Sequence, residues 1–311
     1  MKHFLFNSKL LAVTFLTFAF TSLASAQAVR TWVSGVGDDA NICSRTAPCK
    51  TFAGALSRTA PKGEIDCLDP GSFGTFTITK ALTIDCGGSA AFGGTILDSP
   101  GSGITISAGA SDVIIIRNLS INGVVQEGFM PGLHGIHFLT GGTLHLENLR
   151  ISNVTNNCID VAATGTIIVT IDNTTVSDCG GAGVSISTDG ANLVIGDIHA
   201  LRATNVTTGI AALNGTRMAV RDSNIALAST AINQVGVAGG PSILTVIGST
   251  VAQSMTALES GTGSFIAAFG NSFINDGMVY FQNGGQIFTG TDNATFGQGV
   301  TGATSGNVPK T

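Results

Sequence analysis

Short apolar–polar–apolar triplets recur along this chain at a nearly constant interval. One series runs Gly103-Ile104-Thr105-Ile106, Gly135-Ile136-His137-Phe138, Cys158-Ile159-Asp160-Val161, Gly183-Val184-Ser185-Ile186 and Gly209-Ile210-Ala211-Ala212. Weaker copies follow at Ala231-Ile232, Ala257-Leu258 and Met278-Val279, with successive members 21 to 32 residues apart. A second series lies inside the first: Asn118-Leu119-Ser120-Ile121, Asn148-Leu149-Arg150-Ile151, Asn173-Thr174-Thr175-Val176, Gly248-Ser249-Thr250-Val251, Asn271-Ser272-Phe273-Ile274 and Asn293-Ala294-Thr295-Phe296. Alternation at period two marks strands with one buried face. Two registers sharing one interval mark stacked units. With no helix-length periodic segment between them, the strands predict an all-β coil whose turns lie on one another at about 4.8 Å. Ile136, Ile159 and Val184 must then stack inside it.

The residues ahead of the repeats read differently. Phe52, Ala55 and Leu56 fall at i, i+3 and i+4, one face of a short helix. A coil leaves an open apolar end and unpaired strand edges, so residues 27–62 are assigned as an N-terminal cap carrying this helix. From Gly63 strand signals take over at Glu64-Ile65-Asp66-Cys67-Leu68, Thr75-Phe76-Thr77-Ile78 and Ala81-Leu82-Thr83-Ile84-Asp85. Asp69-Pro70-Gly71 supplies a turn. The coil is assigned to 63–297 and a polar tail to 298–311.

Composition narrows the setting. Lys2, His3 and Lys9 precede the apolar stretch Leu10 to Phe20, and Ala24-Ser25-Ala26 has the form of an export cleavage site, so 1–26 reads as a signal peptide. The expected product is secreted, periplasmic or at the cell surface, with no membrane span. The formal charge is −5, and −7 once Lys2 and Lys9 are removed. With no basic run, nucleic acid is not an expected partner. Only 11% of residues are charged, against about a quarter usually, and Gly, Thr, Ser and Asn cover the surface instead. Six cysteines in an exported chain read most simply as three disulfides. Cys43 and Cys49 close their own short loop, Cys67 and Cys86 end similar strand signals, and Cys158 and Cys179 lie nearly one repeat apart. A zinc site is the rival reading, but there is no Cys-x-x-Cys pair.

The stretch Lys50 to Leu56, then Lys62 to Leu68, Gly71-Ser72-Phe73 and Thr77 to Asp85, resembles the opening of right-handed parallel β-helix proteins of the pectin-lyase-like superfamily. Arg30 to Asn41, with Cys43 and Pro48-Cys49-Lys50, looks more narrowly like a group of uncharacterised exported bacterial proteins of that fold. The resemblance implies a single-domain right-handed parallel β-helix with a short N-terminal capping helix. It implies no one function, because the superfamily holds lyases, hydrolases, epimerases, adhesins and phage spikes. Neither the calcium-and-base set of pectate lyases nor the clustered Asp of polygalacturonases is present intact.

In such a coil, outward residues at one phase of adjacent turns become neighbours, so columns replace linear motifs. One column reads Thr105, His137, Asp160, Ser185, Ala211, Asn233, Glu259, Tyr280. Its His137–Asp160 pair is either a general acid/base set or a plain surface pair. His134 and the insertion Gly123 to Leu133, with Glu127 and Phe129, overhang it. A second column reads Arg117, Glu147, Asp172, Asp197, Arg221. Glu147, Asp172 and Asp197 there either hold calcium or share a raised carboxyl pKa, or the column is a salt-bridge ladder. Asp38 and Asp39 are read as a calcium turn or an acidic turn entering the cap. Asn118, Asn148, Asn173, Asn271 and Asn293 are expected to form one amide ladder. Phe265, Phe269, Phe273, Phe281, Phe288 and Phe296 either fill the last turns or form a sugar-stacking platform.

These features support three functions. The first is an exported β-helix that binds or displays at polysaccharide or cell-envelope glycan. The second is a polysaccharide lyase or glycoside hydrolase working around His137, Asp160, Glu147 and Asp172. No cofactor is expected, calcium being the one exception allowed for. The third is a purely structural surface component.

Overall fold

A computed structural model describes residues 27–87, 94–97, 101–123, 132–236, 242–297 and 299–307. Residues 1–26, expected to be a signal peptide, and Glu127 and Phe129 therefore lie outside the described residues. The chain winds into a coil of parallel strands. Twelve strands, from Ala28–Val33 and Thr59–Cys67 through Thr143–Glu147, Ile167–Asp172 and Val194–His199 to Gly306–Asn307, form a first ladder. The second series of triplets builds a second ladder through Leu119–Asn122, Arg150–Val154 and Thr250–Ala252. The first series builds a third, through Ile104–Ser107, Ile136–Thr140 and Ile159–Ala163. The first ladder takes in Ala28–Val33, ahead of Gly63. Val300–Gly302 and Gly306–Asn307 continue the pairing beyond residue 297.

The interior is built from vertical stacks. In the third ladder Ile104, Ile136, Ile159, Val184, Ile210, Ile232, Leu258 and Tyr280 pair in consecutive turns, all buried. In the first, Ile84, Ile116, Leu146, Ile171, Ile198, Val220, Val246 and Ala268 do the same. Each buried Ile or Leu contributes roughly 1.5–3 kcal/mol relative to exposure. Among the described residues the strands of these stacks all pair in parallel, as the alternation predicts.

Two corners of successive turns hold left-handed residues, and six of the Asn fall there. One corner is occupied by Asn118, Asn148, Asn173, Ala200, Asp222, Gly248 and Gly270, with φ from 43° to 61° at the Asn positions and Gly248. The other is occupied by Asn153, Asp178, Asn205, Leu227, Gln253 and Asn275, with φ between 54° and 60°. A Cβ costs about 1–2 kcal/mol there, least for Asn, whose short amide bonds locally. The expected amide ladder splits in two. Asn148 Nδ2 donates to Asn118 Oδ1 at 2.7 Å and Asn173 Nδ2 to Asn148 Oδ1 at 3.3 Å. Asn271 and Asn293 fall one residue later, on an inward polar stack, where their Oδ1 atoms accept from the backbone N–H of Ser249 and Asn271 at 2.9 Å.

The helix Phe52–Arg58 covers the first turn. Its N-cap Thr51 accepts from Gly54 N–H at 3.0 Å, and Phe52 packs on Phe73 and Phe76 at ring separations of 5.2 and 5.0 Å. Asp39 is structural here, accepting from the N–H of Lys50 and Thr51 and from the Thr51 hydroxyl. Burial alone would raise its pKa, but these bonds outweigh it and lower it. Three disulfides, Cys43–Cys49, Cys67–Cys86 and Cys158–Cys179, close with Cα separations of 4.7, 4.6 and 5.7 Å. Among the C-terminal phenylalanines only Phe273 is fully buried; Phe281 and Phe296 are exposed, and the rest sit half-buried on outward positions. Core filling therefore accounts for one of the six.

Candidate functional site

The third ladder presents the best-formed polar cluster. Register pairs Thr105 with His137, His137 with Asp160, Asp160 with Ser185, and onward through Ala211 and Asn233 to Glu259. Tyr280 does not continue the column: Glu259 faces Phe281, and Tyr280 lies on the inward stack beside Leu258. His137 Nδ1 lies 2.8 Å from Asp160 Oδ2, while Asn157 Nδ2 donates to Asp160 Oδ1 at 2.8 Å. Asn157 is itself held, its Oδ1 accepting from Ala182 N–H at 2.8 Å. The His134 ring stacks on His137 at 4.9 Å with planes 14° apart, and its Nδ1 is buried with no partner. Burial disfavours the His134 imidazolium, and Asp160 opposes that only partly, so its pKa is lowered.

The second column lies on the first ladder, a different face. Register gives Trp32, Asp66, Asp85, Arg117, Glu147, Asp172, His199 and Arg221. Asp197 is displaced two residues, onto the column of His145 and Thr170, because the turn from Asp172 to its neighbour is longer than the spacing suggests. The structure thus brings His137 to Asp160, and Glu147 to Asp172, but keeps the two pairs on separate sheets. Glu147, Asp172 and Asp197 do not converge as calcium ligands: Asp172 accepts from His199 at 2.6 Å and Asp197 binds Arg221 at 2.6 and 2.8 Å. Among the described residues the one His/Cys/Asp/Glu group with metal-ligand spacing is His134, His137 and Asp160. The oxygen-rich cage that calcium requires is not supplied by these side chains.

A third site escaped the sequence reading. At the N-terminal end of the first ladder, Arg30, Trp32, Arg45, Asp66, Leu68, Asp85 and Gly87 line a groove of about 510 Å³. Arg30 bonds Asp66 at 2.5 Å and Glu64 at 3.0 Å, and its guanidinium lies 5.7 Å from the Trp32 ring centre. Arg117 Nε and Asn118 Nδ2 hold Asp85 at 2.8 and 2.7 Å. Burial, then the adjacent Asp66, raise the Glu64 pKa. Asp85 stays lowered because bonds from Asn118, Gly87 and Arg117 outweigh its burial. The signal was present as alternation: Arg30-x-Trp32, Glu64-x-Asp66 and Thr83-x-Asp85 share one outward phase once 28–33 is recognised as a strand.

No protein-family model matches the chain, and no curated protein matches it. Solved structures do. A pectate lyase, Pel9A, superposes with a TM-score of 0.66 at 13% identity, covering 90% of this chain and 78% of the enzyme. A rhamnogalacturonan lyase gives a TM-score of 0.60 at 12% identity over 83% of this chain and 75% of its own. At such identity the likeness speaks for the path of the backbone and not for the chemistry on it. Stacked parallel ladders, a capped first turn and these superpositions together show the fold of the chain, a right-handed parallel β-helix.

Proposed function

We propose that this β-helix is an exported glycan-binding protein that seats a sugar in the groove over Trp32. The carrying observation is the groove itself. It has an indole for stacking against the apolar face of a pyranose, flanked by guanidinium and carboxylate groups already held in place by ion pairs. Arg30, Arg45 and Arg117 roughly balance Glu64, Asp66 and Asp85, so recognition rests on hydroxyl hydrogen bonds more than on a polyanion. The three disulfides support an oxidising, extracellular setting. Among the described residues no helix is long and apolar enough to cross a membrane.

Trp32 is the single tryptophan of the chain, so its fluorescence reads the groove directly. Titration with neutral and uronate oligosaccharides should give a saturable change in emission. Retention in polysaccharide-loaded gels should fall for Trp32→Ala and Arg45→Ala. A flat titration with every glycan, together with unaltered migration, would refute the reading.

A second reading, glycan cleavage, has one observation in its favour: the 2.8 Å contact between His137 and Asp160. New reducing or unsaturated ends, lost in Asp160→Ala but retained in Glu147→Ala, would establish it. Equal loss in both would contradict the separation of the two faces.

A further inference from the structure

We propose that His134, His137 and Asp160 form a binding site for one borderline divalent cation, of which Zn²⁺ is the best fit. Each of the three offers one ligand atom, and those atoms lie within 4.8 Å of one another. Tetrahedral zinc with bonds of about 2.0–2.1 Å places its ligands about 3.3 Å apart, so side-chain shifts of about an ångström close the site. Two imidazoles and one carboxylate are the donor set that zinc and its neighbours favour and calcium does not.

Two features distinguish this cluster from a chance surface pair. His134 Nδ1 is buried with no hydrogen-bond partner, a state that costs about 1–3 kcal/mol unless something bonds it. With the ring proton on Nε2, the unpartnered Nδ1 presents a lone pair free to ligate. Finally, Asp160 is oriented from behind. Asn157 occupies Oδ1 and is in turn fixed by Ala182, so Oδ2 is presented on the histidine side. Outer partners of this kind set ligand geometry in metal sites.

The proton accounting closes without a co-reactant. In the empty site His137 Nδ1–H donates to Asp160 Oδ2. On binding, the metal takes the Nδ1 lone pair and Asp160 Oδ2, and the ring proton moves to His137 Nε2. His137 is about a quarter exposed, which gives its ring room to tilt. Three protein ligands leave at least one coordination position for water or a ligand oxygen.

The test uses the tag-free, disulfide-intact protein, stripped with a chelator and titrated with zinc chloride by calorimetry. The expected result is one zinc per chain at micromolar or tighter affinity, no heat with calcium chloride, and X-ray absorption showing nitrogen and oxygen ligands. His134→Gln, His137→Ala and Asp160→Asn should each weaken binding by at least about tenfold. His199→Gln, which alters the separate Asp172–His199–Asp222 cluster, should leave it unchanged. His137→Ala and Asp160→Asn lie on the surface, so they keep the test valid even if His134→Gln unfolds. Absence of binding up to millimolar zinc would overturn the proposal. So would stoichiometric binding that survives both surface substitutions or is lost in His199→Gln.

Discussion

Tyr280 is the single tyrosine in the chain, and its titration tests the winding of the coil. It sits on the inward stack next to Leu258, only 5% exposed, with its ring edge-on to Phe273 at 5.5 Å. Burial disfavours the phenolate and pushes the pKa from 10.0 up to about 12. Two pH units correspond to about 2.7 kcal/mol of preference for the neutral phenol in the folded state. Because the folded pKa lies above the unfolded one, this contribution is fully present below pH 10. It is lost as pH rises from 10 through about 12. Tyrosinate absorbance, followed with circular dichroism in the same cuvette, should stay silent through pH 10 and appear only as the coil approaches unfolding. Tyr280→Phe should flatten the alkaline loss of stability. Half-titration near pH 10 with the fold intact would place the phenol in water. That would put it in the outward column under Glu259, and the register of the last turns would be wrong by one residue.

Three further outcomes follow from the same geometry. Asn148→Ala should cost about 2 kcal/mol, half from its left-handed corner and half from its two amide bonds, whereas Asn148→Gly should cost only about 1, read as urea midpoints. Equal losses would assign the effect to the amides alone. Ile159→Ala, fully buried in the middle of its stack, should cost about 3 kcal/mol, while outward Thr105→Ala stays under about 1; similar values would contradict the assigned faces. Replacing Cys158 and Cys179 by serine opens a link spanning 21 residues and should remove about 3 kcal/mol, so the melting temperature falls and no longer responds to reductant at that bridge.

Much of this architecture was legible because strand alternation and turn spacing agree wherever loops keep their length. The third ladder runs through seven turns from Thr105 to Glu259 in the order its triplets predict. The errors within the columns are slips of one or two residues. Tyr280 slipped inward after Glu259, Asn271 and Asn293 moved from the corner to the interior, and Asp197 moved to a neighbouring column. A coil is unforgiving here, because one residue turns a side chain to the other face and the triplets do not encode turn length. The Trp32 groove was missed for a different reason. Residues 28–33 carry too short an apolar pattern to declare a strand, and only pairing with Thr59–Cys67 reveals that Arg30 and Trp32 share a face with Glu64 and Asp66.

The two candidate sites are physically independent, and this gives the functional argument its leverage. Trp32 belongs to the first strand of one ladder, whereas His137 and Asp160 belong to successive turns of another. No residue is shared between the clusters, and the apolar stacks of both ladders are buried. Substitutions that share no partners add in free energy to within about 0.5 kcal/mol. Trp32→Ala should therefore leave zinc affinity unchanged, and Asp160→Asn should leave the Trp32 response to sugar unchanged. The double variant should show both losses and no more. Coupling would have to run through the bound glycan itself, lying across the corner between the two faces. A zinc-dependent shift in sugar affinity that vanishes with shorter oligosaccharides is therefore the signature of one extended site, and strict additivity at every chain length is the signature of two.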